Sequence, residues 1–255
     1  MVTKIASWNV NGFRSLLKTN EFETFLTNES PSILCLSETK LTPESMETLP
    51  PFNDTYKYKY WNHSTTTKGH SGTAVWLKRK PIRVEYSPFD TEGRIITVEL
   101  SNYYLINVYV PNAGNRLQRL NYRLSEWDQQ FYNYVQHLQQ HKPVIIAGDL
   151  NVVHTEMDIY STLRKNKIAG FTPEERQQFH SFLSMQHFID TYRYLHPTIK
   201  EYSFWSYRNN SREKNNGWRL DYILVSSSLE HKLKKATICT NYHGSDHVPI
   251  MLELT

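Results

Sequence analysis

Asn9 in SWNVNG, Glu38 in LSETK, Tyr109 and Asn112 in VYVPNAG, Asp149 and Asn151 in AGDLNVVH, Asp221 in WRLDYILV, and Asp246 with His247 in GSDHVPI stand at or just inside the ends of apolar runs. Such repeated placement implies convergence on one site, because strand ends and the loops after them are where a rigid scaffold presents functional groups. Left unpaired in a core, each carboxylate would cost several kcal/mol or more. The residue types describe metal-assisted phosphoryl transfer. Glu38 and Asp246, with the amide of Asn11, are hard oxygen donors suited to Mg²⁺, which takes one or two carboxylates and keeps several waters. Asp149 is then left to orient or deprotonate an attacking water, and Asn151 to hold that water or the carboxylate. Asn9, Tyr109, Asn112 and His247 supply hydrogen-bond donors for a phosphate whose charge grows in the transition state.

Asp246 and His247 are adjacent, and neighbours on an extended segment point to opposite faces. His247 therefore needs its orienting acceptor from elsewhere, and Asp221 is the candidate, leaving Asp246 free for the metal. Taken singly, each of these residues also has a structural use: Glu38 as a solvated strand end, Asp149 as an Asx-turn residue, Tyr109 as a buried aromatic. The functional reading rests on their combination.

The elements that must carry these residues are short. KIASWNV, SILCLSE, GTAVWLK, RIITVEL, YLINVYV, PVIIAGD, LDYILVS and VPIMLEL read as strands bounded by Gly, Pro, Asn or Ser. Residues 117–140 place Leu120, Leu124, Trp127, Phe131, Tyr134 and Leu138 at spacings of three and four, the stripe of one amphipathic helix. TPEERQQF opens another, with Thr172 as cap, Pro173 in the first turn and Glu175 completing a capping box. Many strands with fewer helices predict an α/β chain of two packed sheets with helices outside.

The 255 residues, 39% of them hydrophobic, fit one large domain over 1–255, with no linker dividing it. A balance of 29 basic against 25 acidic residues is a mild bias that permits a nucleic-acid partner without requiring one. Cys35 and Cys239 form no disulfide framework and no paired metal motif. The chain begins on a strand-like segment without signal-peptide regions and has no run of membrane-spanning length, so a soluble, cytoplasmic protein is expected.

SWNVNGFR, ILCLSETK, GHSGTAV, DTEGRIITVE, YVPNAG, GDLNVVHTEMD, AGFTPEERQ, WRLDYILVS and GSDHVPI together resemble the successive signatures of the exonuclease III/AP endonuclease family, in the family's order over essentially the whole chain. The resemblance implies a four-layer α/β sandwich, two mixed sheets flanked by helices. It implies a Mg²⁺-dependent hydrolase, with Mn²⁺ as a substitute, acting as a monomer on double-stranded DNA 5′ to abasic sites and on blocked 3′ ends. It also implies metal near Glu38, water positioned by Asp149 and Asn151, and phosphate contacts from Asn9, Tyr109, Asn112 and His247. Phe204, Trp218 and Leu220 occupy the places that wall a pocket for a flipped-out sugar lacking its base. Arg14, Lys40, Arg119, Arg123 and Arg208 are candidate phosphate contacts. Against the family pattern, Asn11 stands where some relatives have Asp, which predicts weaker Mg²⁺ binding. Asn115 stands where some have Arg, with Arg116 as its substitute. YSTLRKNKI at 160–168 lacks the usual Asn-Pro-Lys. The alternative is a phosphatase or phosphodiesterase of the wider superfamily acting on a non-DNA phosphate ester. A non-catalytic DNA binder would need loss of Glu38, Asp149, Asp221, Asp246 or His247, and all are present.

Overall fold

The computed structural model describes residues 2–52, 54–161 and 167–255, so most of the unusual 160–168 loop lies outside the described residues. Twelve strands form two six-stranded sheets among them. The first contains β1 (Thr3–Asn9), β2 (Ile33–Ser37), β3 (Tyr58–Asn62), β4 (Thr73–Leu77), β11 (Leu233–Ile238) and β12 (Ile250–Leu254), in the order β11-β12-β1-β2-β4-β3. The second contains β5 (Arg83–Tyr86), β6 (Ile95–Glu99), β7 (Tyr104–Tyr109), β8 (Val144–Asp149), β9 (Phe188–Asp190) and β10 (Asp221–Ser226), in the order β5-β6-β7-β8-β10-β9. Both are mixed: β1 with β2 and β7 with β8 are parallel, and the remaining pairs are antiparallel.

The central strands are buried on both faces, so their sequences read as continuous apolar runs rather than alternating ones. Side-chain parity then decides which layer each residue joins. Ile5, Cys35, Val75, Ile96, Leu105, Ile145, Ile223 and Leu252 meet between the sheets. Ala6, Trp8, Leu34, Leu36 and Trp76 face outward onto Phe13 of α1 (Phe13–Leu16) and Phe22 and Phe25 of α2 (Glu21–Glu29). A short α3 (Pro43–Glu47) follows β2. On the other side Ile106, Val108, Val144, Ile146 and Leu224 pack on Phe131 and Val135 of α4 (Asp128–Gln139) and on Phe179 and Phe182 of α5 (Pro173–Met185). A last helix, α6 (Thr191–Leu195), follows β9. Helix, sheet, sheet and helix make the expected four layers. Asn107 on β7 ties the two sheets together, donating from Nδ2 to the carbonyls of Leu36 at 2.9 Å and Ala74 at 2.8 Å.

All eight strands anticipated from apolar runs are present. The four not anticipated, β3, β5, β9 and β11, are the edges of the two sheets. Edge strands are short or carry Lys or Arg on exposed positions, as RVEY and LKKATI do, which blunts edge-to-edge aggregation and erases the apolar signal. The Thr172 box forms as expected: Thr172 Oγ1 accepts from the Glu175 N–H at 3.2 Å, and Glu175 accepts from the Thr172 N–H at 3.2 Å.

The long 117–140 helix departs from its expected stripe. Residues Tyr122–Trp127 form a π-helical turn leading into α4, and its wider winding breaks the phase of the stripe between the residues before, within and after it. Arg123 is therefore buried, while Leu120, Leu124 and Tyr134 are half-buried and Val135 takes a core position.

Candidate active site

The polar strand ends converge. Parallel β1 and β2 place Asn9 and Glu38 side by side, and parallel β7 and β8 do the same for Tyr109 and Asp149. Asp221 opens β10 opposite Asp149. The segment entering β12 brings in Asp246 and His247. The turns at these ends are strained: Asn11, Glu38, Lys40 and Asn151 all have positive φ, between 43° and 54°. For residues with a Cβ such conformations cost about 1–3 kcal/mol each, and they cluster where surrounding structure fixes a functional geometry.

His247 Nδ1 donates to Asp221 Oδ2 at 2.7 Å, the dyad expected from sequence. Its other nitrogen, Nε2, lies 3.8 Å from Asp149 Oδ2. Burial alone would lower the imidazole's pKa, but the charge and hydrogen bond of Asp221, with Asp149 and Asp246 beyond, raise it well above the ordinary range. Burial raises the Asp149 carboxyl, and Asp221 and Glu38 add to this against the opposing charge of His247 and the Asn151 N–H. Asp149 Oδ1 accepts from that N–H at 2.8 Å, so the residue makes an Asx turn and faces the site at once.

Asn9 is fully buried and has a different place from the one expected. Its Nδ2 donates to Glu38 Oε1 at 3.0 Å and to Asp149 Oδ2 at 2.9 Å, bridging carboxylates of two sheets. It therefore positions both acids and does not point a free N–H at a phosphate. Asn112 donates to Asn151 Oδ1 at 3.0 Å, and Asn151 donates to the Val110 carbonyl at 2.9 Å. Burial, with the charges of Glu38 and Asp149 nearby, pushes the Tyr109 hydroxyl well above its ordinary pKa, and the Arg94 guanidinium stacks 4.6 Å from the Tyr109 ring.

Two sets of groups here can hold a cation. Asp149, Asp221 and His247 present ligand atoms within 4.8 Å of one another, but one side of the imidazole is already committed to Asp221. The second set is Glu38 with Asn11 and Asp246. Lys40 Nζ stands 3.1 Å from Glu38 Oε2 and hydrogen-bonds Asn11 Oδ1, while Asn11 Nδ2 donates to Asp246 Oδ1 at 2.9 Å. Burial pushes the Glu38 carboxyl up, yet Asn9, Lys40 and Tyr109 together hold it below its ordinary range. These oxygen donors, one of them kept ionised and already drawing a positive charge, fit a hard divalent ion.

The site opens into a cleft of about 630 Å³ lined by Glu38, Tyr109, Asp149, Asp246 and His247 together with Phe204, Trp218 and Leu220. The Phe204 ring lies 4.7 Å from that of His247, which joins the apolar wall to the acid–base groups. Tyr160, Ser206, Asn209 and Asn216 also line the cleft, and nothing in their sequence setting marked them. A larger groove of about 750 Å³ between β5–β7 and α4 contains none of the converging residues; chemistry rather than size selects the cleft.

The basic candidates separate. Arg208 lines the cleft, and Arg14 and Arg116 are exposed. Lys40 is committed to Glu38 and Asn11, and Arg119 lies 3.4 Å from Glu92. Arg123 is corrected: it is buried, donating to the carbonyls of Asn151 at 2.6 Å and Leu150 at 2.8 Å and pairing with Glu175 at 3.0 Å, so it cannot reach a DNA strand. Sequence reading also missed Arg219, fully buried in the WRLDY block and bound to Asp158 at 2.7 Å and Asp190 at 2.6 Å. A buried Arg between apolar neighbours is the signal that could have found it, since such a residue requires carboxylate partners.

Residues 6–247 match the model of the Endonuclease/Exonuclease/phosphatase family. The chain is 40% identical over 254 residues to an exodeoxyribonuclease of Bacillus subtilis, covering 98% of each. It is 43% identical over 256 residues to a DNA-(apurinic or apyrimidinic site) endonuclease of Dictyostelium discoideum, covering 97% of this chain and 69% of that one. The AP endonuclease structure from Leishmania major superposes with a TM-score of 0.91 at 32% identity, covering 99% of this chain and 87% of that one. With two sheets meeting at a cleft of carboxylates and a His–Asp dyad, the chain belongs to the endonuclease/exonuclease/phosphatase family of hydrolases.

Proposed function

We propose that this chain, acting as one catalytic domain over residues 1–255, is a Mg²⁺-dependent hydrolase that cuts the DNA backbone 5′ to abasic sites. It also trims blocked 3′ ends, with 3′–5′ exonuclease activity. The observation that carries the reading is the shared cleft: Asp149 and His247, the latter backed by the buried Asp221, face one space with the apolar wall of Phe204, Trp218 and Leu220. A deoxyribose without a base suits such a wall, and extrusion is easiest where no base must be unstacked. The names of the relatives point the same way. The protein is proposed to work as an intracellular monomer; among the described residues no helix is long and apolar enough to cross a membrane.

Glu38, with Asp246 and Asn11, would hold the ion, Mn²⁺ being an acceptable substitute; when bound it supplies positive charge against the phosphate and leaving oxygen. Asp149 accepts a proton from the attacking water as the new P–O bond forms and the scissile P–O bond breaks, and the 3′ oxygen leaves with the bonding pair and takes its proton from solvent. Its raised pKa suits a base working near neutral pH. The charged His247, fixed by Asp221, donates from Nε2 to a non-bridging oxygen as charge accumulates there. Asn9 keeps Asp149 and Glu38 at their separation. Tyr109, held by Arg94, presents its hydroxyl beside them.

The test is incision of a labelled duplex carrying one abasic analogue, with Mg²⁺ and with EDTA, beside an intact duplex. Mg²⁺-dependent cutting 5′ to the analogue is expected, with Asp149→Asn slower by at least about 10²- to 10⁴-fold while binding is retained. Equal cutting of the intact duplex, or a small loss in Asp149→Asn at saturating Mg²⁺, would overturn the assignment.

A further inference from the structure

Away from the cleft, the chain leaving β8 meets the exposed face of α5 through two imidazoles. His154 Nε2 lies 3.2 Å from His180 Nδ1, with the rings stacked 5.5 Å apart at 28°. Neither residue lines the cleft. His154 is half-buried and held from three directions. Its ring meets Phe179 edge-on at 5.4 Å, its N–H donates to the Tyr222 hydroxyl at 3.2 Å, and its carbonyl accepts from Arg176 Nε at 3.2 Å. His180 is exposed on α5.

Two nitrogens bound to one tetrahedral ion, each at 2.0–2.1 Å, stand about 3.3 Å apart, close to the separation here. Imidazole is a donor for Zn²⁺, Ni²⁺ or Cu²⁺, whereas Mg²⁺ prefers the oxygen donors of the cleft. Burial lowers the His154 pKa against the opposing charges of Asp190 and Asp158, which favours the neutral, metal-competent ring. We propose that His154 and His180 form a second metal site, a two-imidazole clamp for a divalent transition-metal ion of the Zn²⁺ class, open to solvent at its remaining positions. The ion would fasten the segment that carries Asn151 to α5, a link the two residues' separation in sequence conceals.

The experiment is a Zn²⁺ titration of the full chain at saturating Mg²⁺, followed by calorimetry and by ¹H–¹⁵N correlations of the imidazole nitrogens, on wild type and His180→Ala. His180 is exposed, so this variant retains the fold; His154→Gln serves as a second. The expected result is one equivalent of Zn²⁺ that moves the His154 and His180 nitrogen signals together in wild type and is missing in both variants. Mg²⁺-dependent activity of His180→Ala without Zn²⁺ should be unchanged. The clamp is overturned if wild type and His180→Ala bind Zn²⁺ with the same stoichiometry and affinity, or if the two signals stay fixed while that of His247 moves; the pair is then a hydrogen bond between imidazoles.

Discussion

Arg123 donates to the carbonyls of Leu150 and Asn151 and to Glu175, so its guanidinium holds the chain that follows Asp149, whereas Arg208 lies exposed on the rim of the cleft. The two residues therefore separate stability from DNA affinity. Arg123 also stands 3.8 Å from the buried Asp128 carboxylate, so Arg123→Met strands both Glu175 and Asp128 and should cost about 3–5 kcal/mol in urea unfolding. The salt dependence of abasic-duplex binding by the folded fraction should not change. Arg208→Ala should change stability by no more than about 0.5 kcal/mol while reducing the slope of log K against log salt by about 0.9, one duplex phosphate contact. Measuring both quantities on both variants decides the point; a shallower salt slope in Arg123→Met would return that residue to the DNA interface.

At the level of elements, β7 and β8 must approach closely for Tyr109 and Asp149 to stand together. Gly148 permits this: a Cβ there would fall 1.8 Å from the Val108 carbonyl oxygen. Gly148→Ala must push the two strands apart, and a loss of about 3 kcal/mol is expected, together with reduced turnover because Asp149 is the next residue. Wild-type melting behaviour in this variant would mean that the approach is not needed. The central strands were legible in sequence because burial on both faces leaves apolar runs, and the edge strands were not because exposure removes them. The phase slip at Tyr122–Trp127 was illegible for another reason. A π-turn adds a residue to the winding without changing residue types, so Arg123 read as a surface cation beside Leu124. The site's residue types were legible at strand ends, including the Asp221–His247 pair. The double role of Asn9 was not, because its two acceptors belong to different sheets and only the packing distance between those sheets brings them within reach of one amide.

Across the whole molecule, the floor of the cleft depends on a charge network that bonds distant segments. Arg219, just before β10, pairs with Asp158 in the chain after β8 and with Asp190 at the end of β9, and Arg193 of α6 pairs with Asp158 at 2.6 Å. Trp218 and Leu220 flank Arg219, so the apolar wall is anchored through it. Burial pushes the Asp158 carboxyl up, but the charges and hydrogen bonds of Arg219 and Arg193 outweigh this and hold it well below its ordinary value of 3.8. A folded-state pKa below the unfolded one means that the native state gives up this proton more readily. The resulting stability is fully present above about pH 4 to 5 and is lost as pH falls toward the folded value. Asp158→Asn removes the charge and should cost about 3–5 kcal/mol at pH 6. The gap between wild type and variant, measured by urea unfolding, should narrow steadily from pH 5 to pH 2.5. A gap that stays constant over that range would show that Asp158 stabilises the fold by packing and neutral hydrogen bonds alone, and the cleft wall would then not be held by charge.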